Sequence, residues 1–216
     1  HFCLYNAIIK KKKLTSSLLS KENDKLLFHT FDNSLKPQIE EVLSLGKSAG
    51  ADLVEIFLEK SDNISLLAEQ DDISNVSPSF GIGAGIRVFL GKKDGFVSTN
   101  DLSIGGLLFA LSQALRMLGL EIGTLNKSEF DGLQVFKDFG FHKNNWLNDS
   151  PNLKESTIRL LDSTNMLANK NKNLQVRRAS YSRTWQEVLV AATDGVFARD
   201  IRLHQTVGLN AIAIKD

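Results

Sequence analysis

FGIGAGIRVFLGKKDGFVSTNDLS, residues 80–103, is the stretch on which the fold reading turns. Glycines at 81, 83 and 85 alternate with Ile82 and Ala84 and lead into the apolar run Ile86 to Leu90, the pattern of a strand over 81–90. Lys92-Lys93-Asp94-Gly95 supplies a tight turn, and a second strand follows at 95–100, which makes a hairpin. Ser103 then caps a helix whose apolar positions 104, 107, 108, 111, 115 and 118 keep helical spacing as far as Gly119.

Upstream of this hairpin, Ser34 is placed to cap a helix with Leu35, Ile39, Val42, Leu43 and Ala49 on one side, Pro37 in its first turn and Gly50 at its end. The run at 52–59, DLVEIFLE, reads as a strand, Ser61-Asp62-Asn63 as a turn, 64–69 as a returning strand and 73–77 as a third short one. Downstream, residues 120–149 lose periodicity and gather Asn, Lys, Gly and Asp, as a connecting segment does. Ser150-Pro151 starts a helix with Leu153, Thr157, Leu160, Leu161, Thr164, Leu167 and Ala168 on one face. Strands are expected at 174–183 and 185–193, and Asp194-Gly195 is a hairpin turn. Beyond it, Ile201, Leu203, Val207 and Leu209 point one way and Asp200, Arg202, His204 and Thr206 the other. The expected class is α+β, with mainly antiparallel sheets and flanking helices. Its parts are an extension at 1–34, an N-terminal α+β domain at 35–119, the connection at 120–149, and the start of a helix-plus-sheet domain at 150–216.

The 216 residues, 42% hydrophobic and 24% charged, have the composition of a globular domain. Against 25 acids, 26 basic side chains leave no global field for nucleic acid. The charge is uneven: residues 1–36 carry seven Lys and three acids, and 37–118 carry six bases and eleven acids. A poorly ordered basic extension with the Lys10–Lys13 run, ahead of a mildly acidic domain, accounts for this. Cys3 is the single cysteine, which excludes an internal disulfide framework and fits a reducing cytoplasm. No run approaches the roughly 18 apolar residues of a membrane span, and HFCLYNAII has its lysines on the wrong side for a secretory signal.

Candidate chemistry is sparse. Gly81, Gly83 and Gly85 do not make a dinucleotide fingerprint, because the third glycine is one position early and a strand follows where a helix is required. The histidines at 1, 29, 142 and 204 share no helical turn, and Asp200 and His204 on one strand face stand too far apart for a shared ligand shell. Cys3 lies in the extension, and no serine sits in a nucleophile elbow. Glu69, Asp71 and Asp72 cluster where a turn would use them for local hydrogen bonds. Arg177, Arg178, Arg183, Arg199 and Arg202 read as sheet surface or a domain contact, with carboxylate capture as a minor role. No residue is assigned as catalytic, cofactor-binding or metal-ligating. The glycines are expected to clear one strand face so that another backbone can approach.

The segments AGADLVEIFLEK (49–60), LLAEQDDISNVSPSFGIGAGIRVF (66–89), GFVSTNDLS (95–103) and RRASYSRTWQEVLVAATDGVFARDIRLHQTVGLNAIA (177–213) together resemble the TldD/PmbA family, on its TldD-like branch. Older usage calls its members modulators of DNA gyrase. The resemblance implies an intracellular zinc metallopeptidase that cleaves peptides and works as a homodimer or a TldD–TldE-like heterodimer. It also implies a His-Glu-x-x-x-His zinc helix, a motif that does not occur in these 216 residues. The chain is therefore expected to be a non-catalytic N-terminal and central segment that shapes a peptide channel, binds no zinc itself and is inactive alone. The alternative is a stand-alone interaction module that pairs with a TldD-type partner.

Overall fold

The computed structural model describes residues 31–70, 72–123, 130–138, 153–170 and 173–213. A 3₁₀ turn at Asn33–Leu35 leads into α1 (Lys36–Ser48). Three antiparallel strands follow: β1 (Leu53–Glu69), β2 (Asp72–Leu90) and β3 (Lys93–Thr99). Next come α2 (Ile104–Met117), the two-residue β4 (Lys137–Asp138), α3 (Leu153–Lys170), β5 (Leu174–Ala192) and β6 (Phe197–Ala213). They form one six-stranded sheet in the order β3-β2-β1-β5-β6-β4, antiparallel throughout except where β4 runs parallel to β6. The α+β expectation holds.

Burial on β1 alternates with the pleat. Val54, Ile56, Leu58, Lys60, Leu66 and Ala68 are buried on one face, and all three helices lie on that side. Ile39, Val42 and Leu43 of α1 and Leu107, Leu111 and Leu115 of α2 pack with Val54, Ile56, Ile86 and Val88 in the main core. Leu160 of α3 joins Leu66, Ala68, Ala179 and Tyr181 in a smaller cluster at the far end. The other sheet face carries no helix among the described residues.

Several boundaries differ from the sequence reading. Ser61-Asp62-Asn63 is no turn: β1 runs through it, paired with β2 on one side and β5 on the other. Two ladders satisfy its backbone, which overrides the turn preference of Asp and Asn. The expected short strand at 73–77 is the first part of β2, and the strands at 174–183 and 185–193 are the single β5. Ser34 does not cap α1. Asp32 caps the 3₁₀ turn instead, accepting from the Ser34 amide at 2.8 Å. Ser103 does cap α2, accepting from the Gly106 amide at 3.2 Å. Its hydroxyl, and then its amide, hold the Asp101 carboxyl below the usual carboxylate range. Asp194-Gly195 does lie in the turn from β5 to β6, with Gly195 at a φ of 96°, but the connection runs from Thr193 to Val196 and is not the expected two-residue turn. The expectations for the extension up to residue 30, and for Ser150-Pro151, lie outside the described residues.

The β2–β3 turn falls at Gly91-Lys92, one step before the expected Lys-Lys-Asp-Gly, since Leu90 pairs with Lys93. Gly91 has a φ of 60°, the positive value a tight hairpin turn requires. A Cβ there would meet nothing within 4 Å, so Gly91→Ala tests backbone strain alone. It is expected to cost about 1 kcal/mol in denaturant unfolding. Gly95, freed from the turn, sits in β3 beneath α2, where a Cβ would stand 2.4 Å from the Ala114 carbonyl oxygen.

Candidate functional site

The alternating glycines of β2 define the uncovered sheet face. Gly81, Gly83 and Gly85 stand opposite Ser61, Glu59 and Phe57 of β1. Paired antiparallel residues share a face, so the three glycines and these three side chains all look away from the helices. With no side chains over the glycines, the sheet has a groove of about 770 Å³. Phe57 and Phe96 wall one end, Glu59 and Ser61 line one long side, and Ser98, Thr99 and Asn100 line the other. Both rings are open to solvent, Phe57 at 39% and Phe96 at 56%.

The space is narrow enough that a methyl group would disturb it. A Cβ would lie 2.9 Å from Ser61 Oγ at Gly81, 3.2 Å from the Thr99 carbonyl at Gly83, and 2.9 Å from the Phe96 ring at Gly85. The groove also meets a backbone edge. β3 ends at Thr99 opposite Ala84, so β2 from Asp72 to Gly83 is paired on its β1 side only, among the described residues. Unpaired strand edges are templates for another strand, and Pro78 is the one residue in that edge without an amide to offer.

Charge around the groove is sorted by hydrogen bonding. Arg87, two positions beyond Gly85 on the same face, is held by Asp94 at 3.0 Å and stacks 4.8 Å from the Phe89 ring centroid. Glu59 Oε1 accepts from Gln186 Nε2 at 2.9 Å. Glu59 is the one charged side chain among the groove's lining residues.

On the helix side lies a second polar group that the sequence reading missed. Glu187 of β5 is fully buried and stands directly opposite Lys60, which is 7% exposed. Its Oε1 accepts from Arg199 Nε at 2.6 Å and from the Phe31 amide at 2.8 Å. Its Oε2 has no hydrogen-bond partner. The Lys60 ammonium lies 5.5 Å from the Phe31 ring centroid. The signal was present in the alternation: Glu187 is in phase with buried Leu189 and Ala191, and Lys60 with Val54, Ile56 and Leu58. A cavity of about 430 Å³ between Phe31, Ser34, Gln38, Lys60 and Leu107 adjoins this group.

The weighed candidates do not converge on one centre. Gly81 to Gly85 lie within a strand, with no helix N-terminus for a phosphate. Asp200 is paired with Arg202 at 2.8 Å, and His204 is exposed farther along β6. Glu69 binds Arg178 at 2.8 Å beside the β1–β2 turn, and Asp72 accepts from the Ile73 amide at 2.8 Å. Arg177 reaches Gln70 Oε1 at 2.9 Å. Arg199, expected as solvated sheet surface or a domain contact, is a nearly buried partner of Glu187. His1, His29, Cys3, Asp71 and His142 lie outside the described residues. Among the described residues no group of three or more His, Cys, Asp or Glu could hold a metal, and no helix is long and apolar enough to cross a membrane.

Comparison with known proteins adds the family. Residues 54–118 match the PmbA/TldA metallopeptidase domain 1, and residues 148–216 match the PmbA/TldA metallopeptidase central domain. TldE from Thermococcus kodakarensis superposes with a TM-score of 0.60 at 18% identity, over 82% of this chain and 40% of its own. A protein named as a modulator of DNA gyrase from Thermotoga maritima MSB8 gives 0.61 at 15% identity, over 83% and 40%. A similarly named protein from Bacteroides thetaiotaomicron gives 0.59 at 12% identity, over 85% and 42%. The chain thus spans about two fifths of the length of each. No curated protein matches it.

Proposed function

The chain belongs to the PmbA/TldD metallopeptidase family, and on that premise we propose that it is the peptide-guiding, non-catalytic part of such an enzyme. The observation that carries this reading is the glycine-floored groove running beside the free edge of β2. An extended peptide adding to that edge would exchange main-chain hydrogen bonds with β2 as far as Gly83, and alternate side chains would stand on the open face beside Gly81 and Gly83. Such docking holds a substrate by its backbone and is tolerant of sequence. Among the described residues no group of three or more His, Cys, Asp or Glu could hold a metal, and no hydrolytic step is assigned to them. A cytoplasmic setting agrees with the lone Cys3.

A second reading, pairing with another subunit, rests on a different surface. Val207 and Leu209 of β6 are 74% and 57% exposed on the helix side of the sheet, where none of the three helices covers them. A second copy or a TldE-like chain would bury them.

The groove reading is tested by fluorescence anisotropy with a labelled, extended decapeptide. Gly83→Val places a branched side chain against the Thr99 carbonyl and into the groove. The variant is expected to lose about 1 kcal/mol of stability and to weaken peptide binding at least tenfold. Equal affinity of the folded variant and the parent would place docking elsewhere.

A further inference from the structure

We propose that the groove discriminates among peptides by charge, selecting a lysine or arginine side chain through Glu59 and the neighbouring Phe57 and Phe96 rings. The inference rests on the peptide-docking reading above and adds what that reading leaves open, because backbone pairing alone carries no side-chain preference.

Phe57 and Glu59 are two residues apart on one strand, so their side chains stand side by side on the open face. Opposite them are Gly85 and Gly83, which contribute no atoms above the backbone. A side chain entering over the glycines therefore meets β1 from the side: a carboxylate at one position and an aromatic ring at the next. Phe96, whose ring would be 2.9 Å from a Cβ on Gly85, closes the same end from β3.

The charge balance gives this pairing its sign. Glu59 is hydrogen-bonded by the neutral Gln186 amide, which orients one oxygen without neutralising the group. Farther along the face, Arg87 is engaged by Asp94. Asp200, across β5 from Glu59, already has Arg202. The groove thus presents a negative charge beside an end walled by two aromatic rings, at a site still open to water. A long basic side chain suits all three elements. Its methylenes cover the ring edges, its cation is attracted by the ring faces, and its head reaches the carboxylate. An acidic side chain would be repelled, and a short apolar one would leave Glu59 with nothing but water.

Three labelled decapeptides identical except at one central position, carrying lysine, norleucine or glutamate, provide the test. Binding to the parent chain at low ionic strength is expected to be strongest for lysine, by about fivefold over norleucine, and weakest for glutamate. Salt should shrink that spread, because Glu59 is solvent-accessible. Glu59→Gln should bring the three affinities together, removing the lysine preference and the penalty on glutamate alike. Glu59→Lys should reverse the order and favour glutamate. Gln and Lys at this half-exposed strand position are compatible with the fold, and a melting curve for each variant checks this. Equal binding of the three peptides by the parent would overturn the charge selection and leave the docking reading standing. A lysine preference that persists in Glu59→Gln would likewise overturn it. Absence of binding by every peptide would sink both.

Discussion

Replacing Glu187 by alanine is expected to destabilise the fold by about 3–5 kcal/mol, the largest effect of any single change to a charged residue here. The carboxylate is fully buried and accepts hydrogen bonds from Arg199 and from the Phe31 amide. Removing it takes the carboxylate from a guanidinium that is 12% exposed, leaves a backbone donor unsatisfied, and takes the opposing charge from beside Lys60. For a chain of this size the midpoint of thermal unfolding should fall by about 10 °C. Glu187→Gln keeps the volume and one acceptor oxygen, and should cost less than half as much. Combining Glu187→Ala with Arg199→Ala should cost less than the sum of the two, because both changes remove the same buried ion pair. Additive effects would mean that the pair is not coupled. Because Phe31 precedes α1 while Glu187 and Arg199 belong to β5 and β6, the same carboxylate fastens the N-terminal helical layer to the later hairpin. Hydrogen exchange at residues 31–36 should therefore rise more in Glu187→Ala than exchange at Ile86 does.

The second large effect is expected at Phe197. This ring is 2% exposed and lies 4.8 Å, centroid to centroid, from Phe136 at a 57° tilt. It begins β6 and roofs the core beside Leu133 and Leu189. Phe197→Ala opens a ring-sized void and should cost about 3–5 kcal/mol by denaturant unfolding. The loss should also be local. Residues 130–137 hold to the sheet by the Gln134–Gly195 backbone hydrogen bond of 3.0 Å, by the short β4 ladder, and by the Phe136 contact. Without the ring, protection of the Gln134 amide should disappear well before that of Val54 or Val88. A variant that keeps Gln134 protected while losing global stability would show that Phe197 does not anchor this segment.

Much of the sheet was legible because its residues repeat with the pleat. The alternation from Ile82 to Phe89, the Asp194-Gly195 turn and the Ser103 cap are local signals, and each acts through the backbone conformation of a few neighbouring residues. The glycine groove belongs to the same class: three glycines two apart in a strand must clear one face, whatever the strand packs against. Family membership was likewise written in the residues, spread over both halves of the chain.

Other features depended on partners far away in sequence. Ser61-Asp62-Asn63 reads locally as a turn. It is a strand because β5, more than 120 residues later, supplies the second ladder that satisfies its backbone. Lys60, Glu187 and Arg199 each look like surface charges in isolation; their burial arises only when β1, β5 and β6 align and Phe31 folds over them. The aperiodic stretch at 130–136 carries no helical or strand repeat, yet Leu133 and Phe136 find a place in the core beside Phe197. Glu59 likewise acquires its meaning from Gly83 opposite and Phe96 two strands away. Periodicity determines which face a residue takes, since that depends on its own backbone. What lies across that face depends on which strands pair, and that is set by contacts formed only after the chain has closed its long loops.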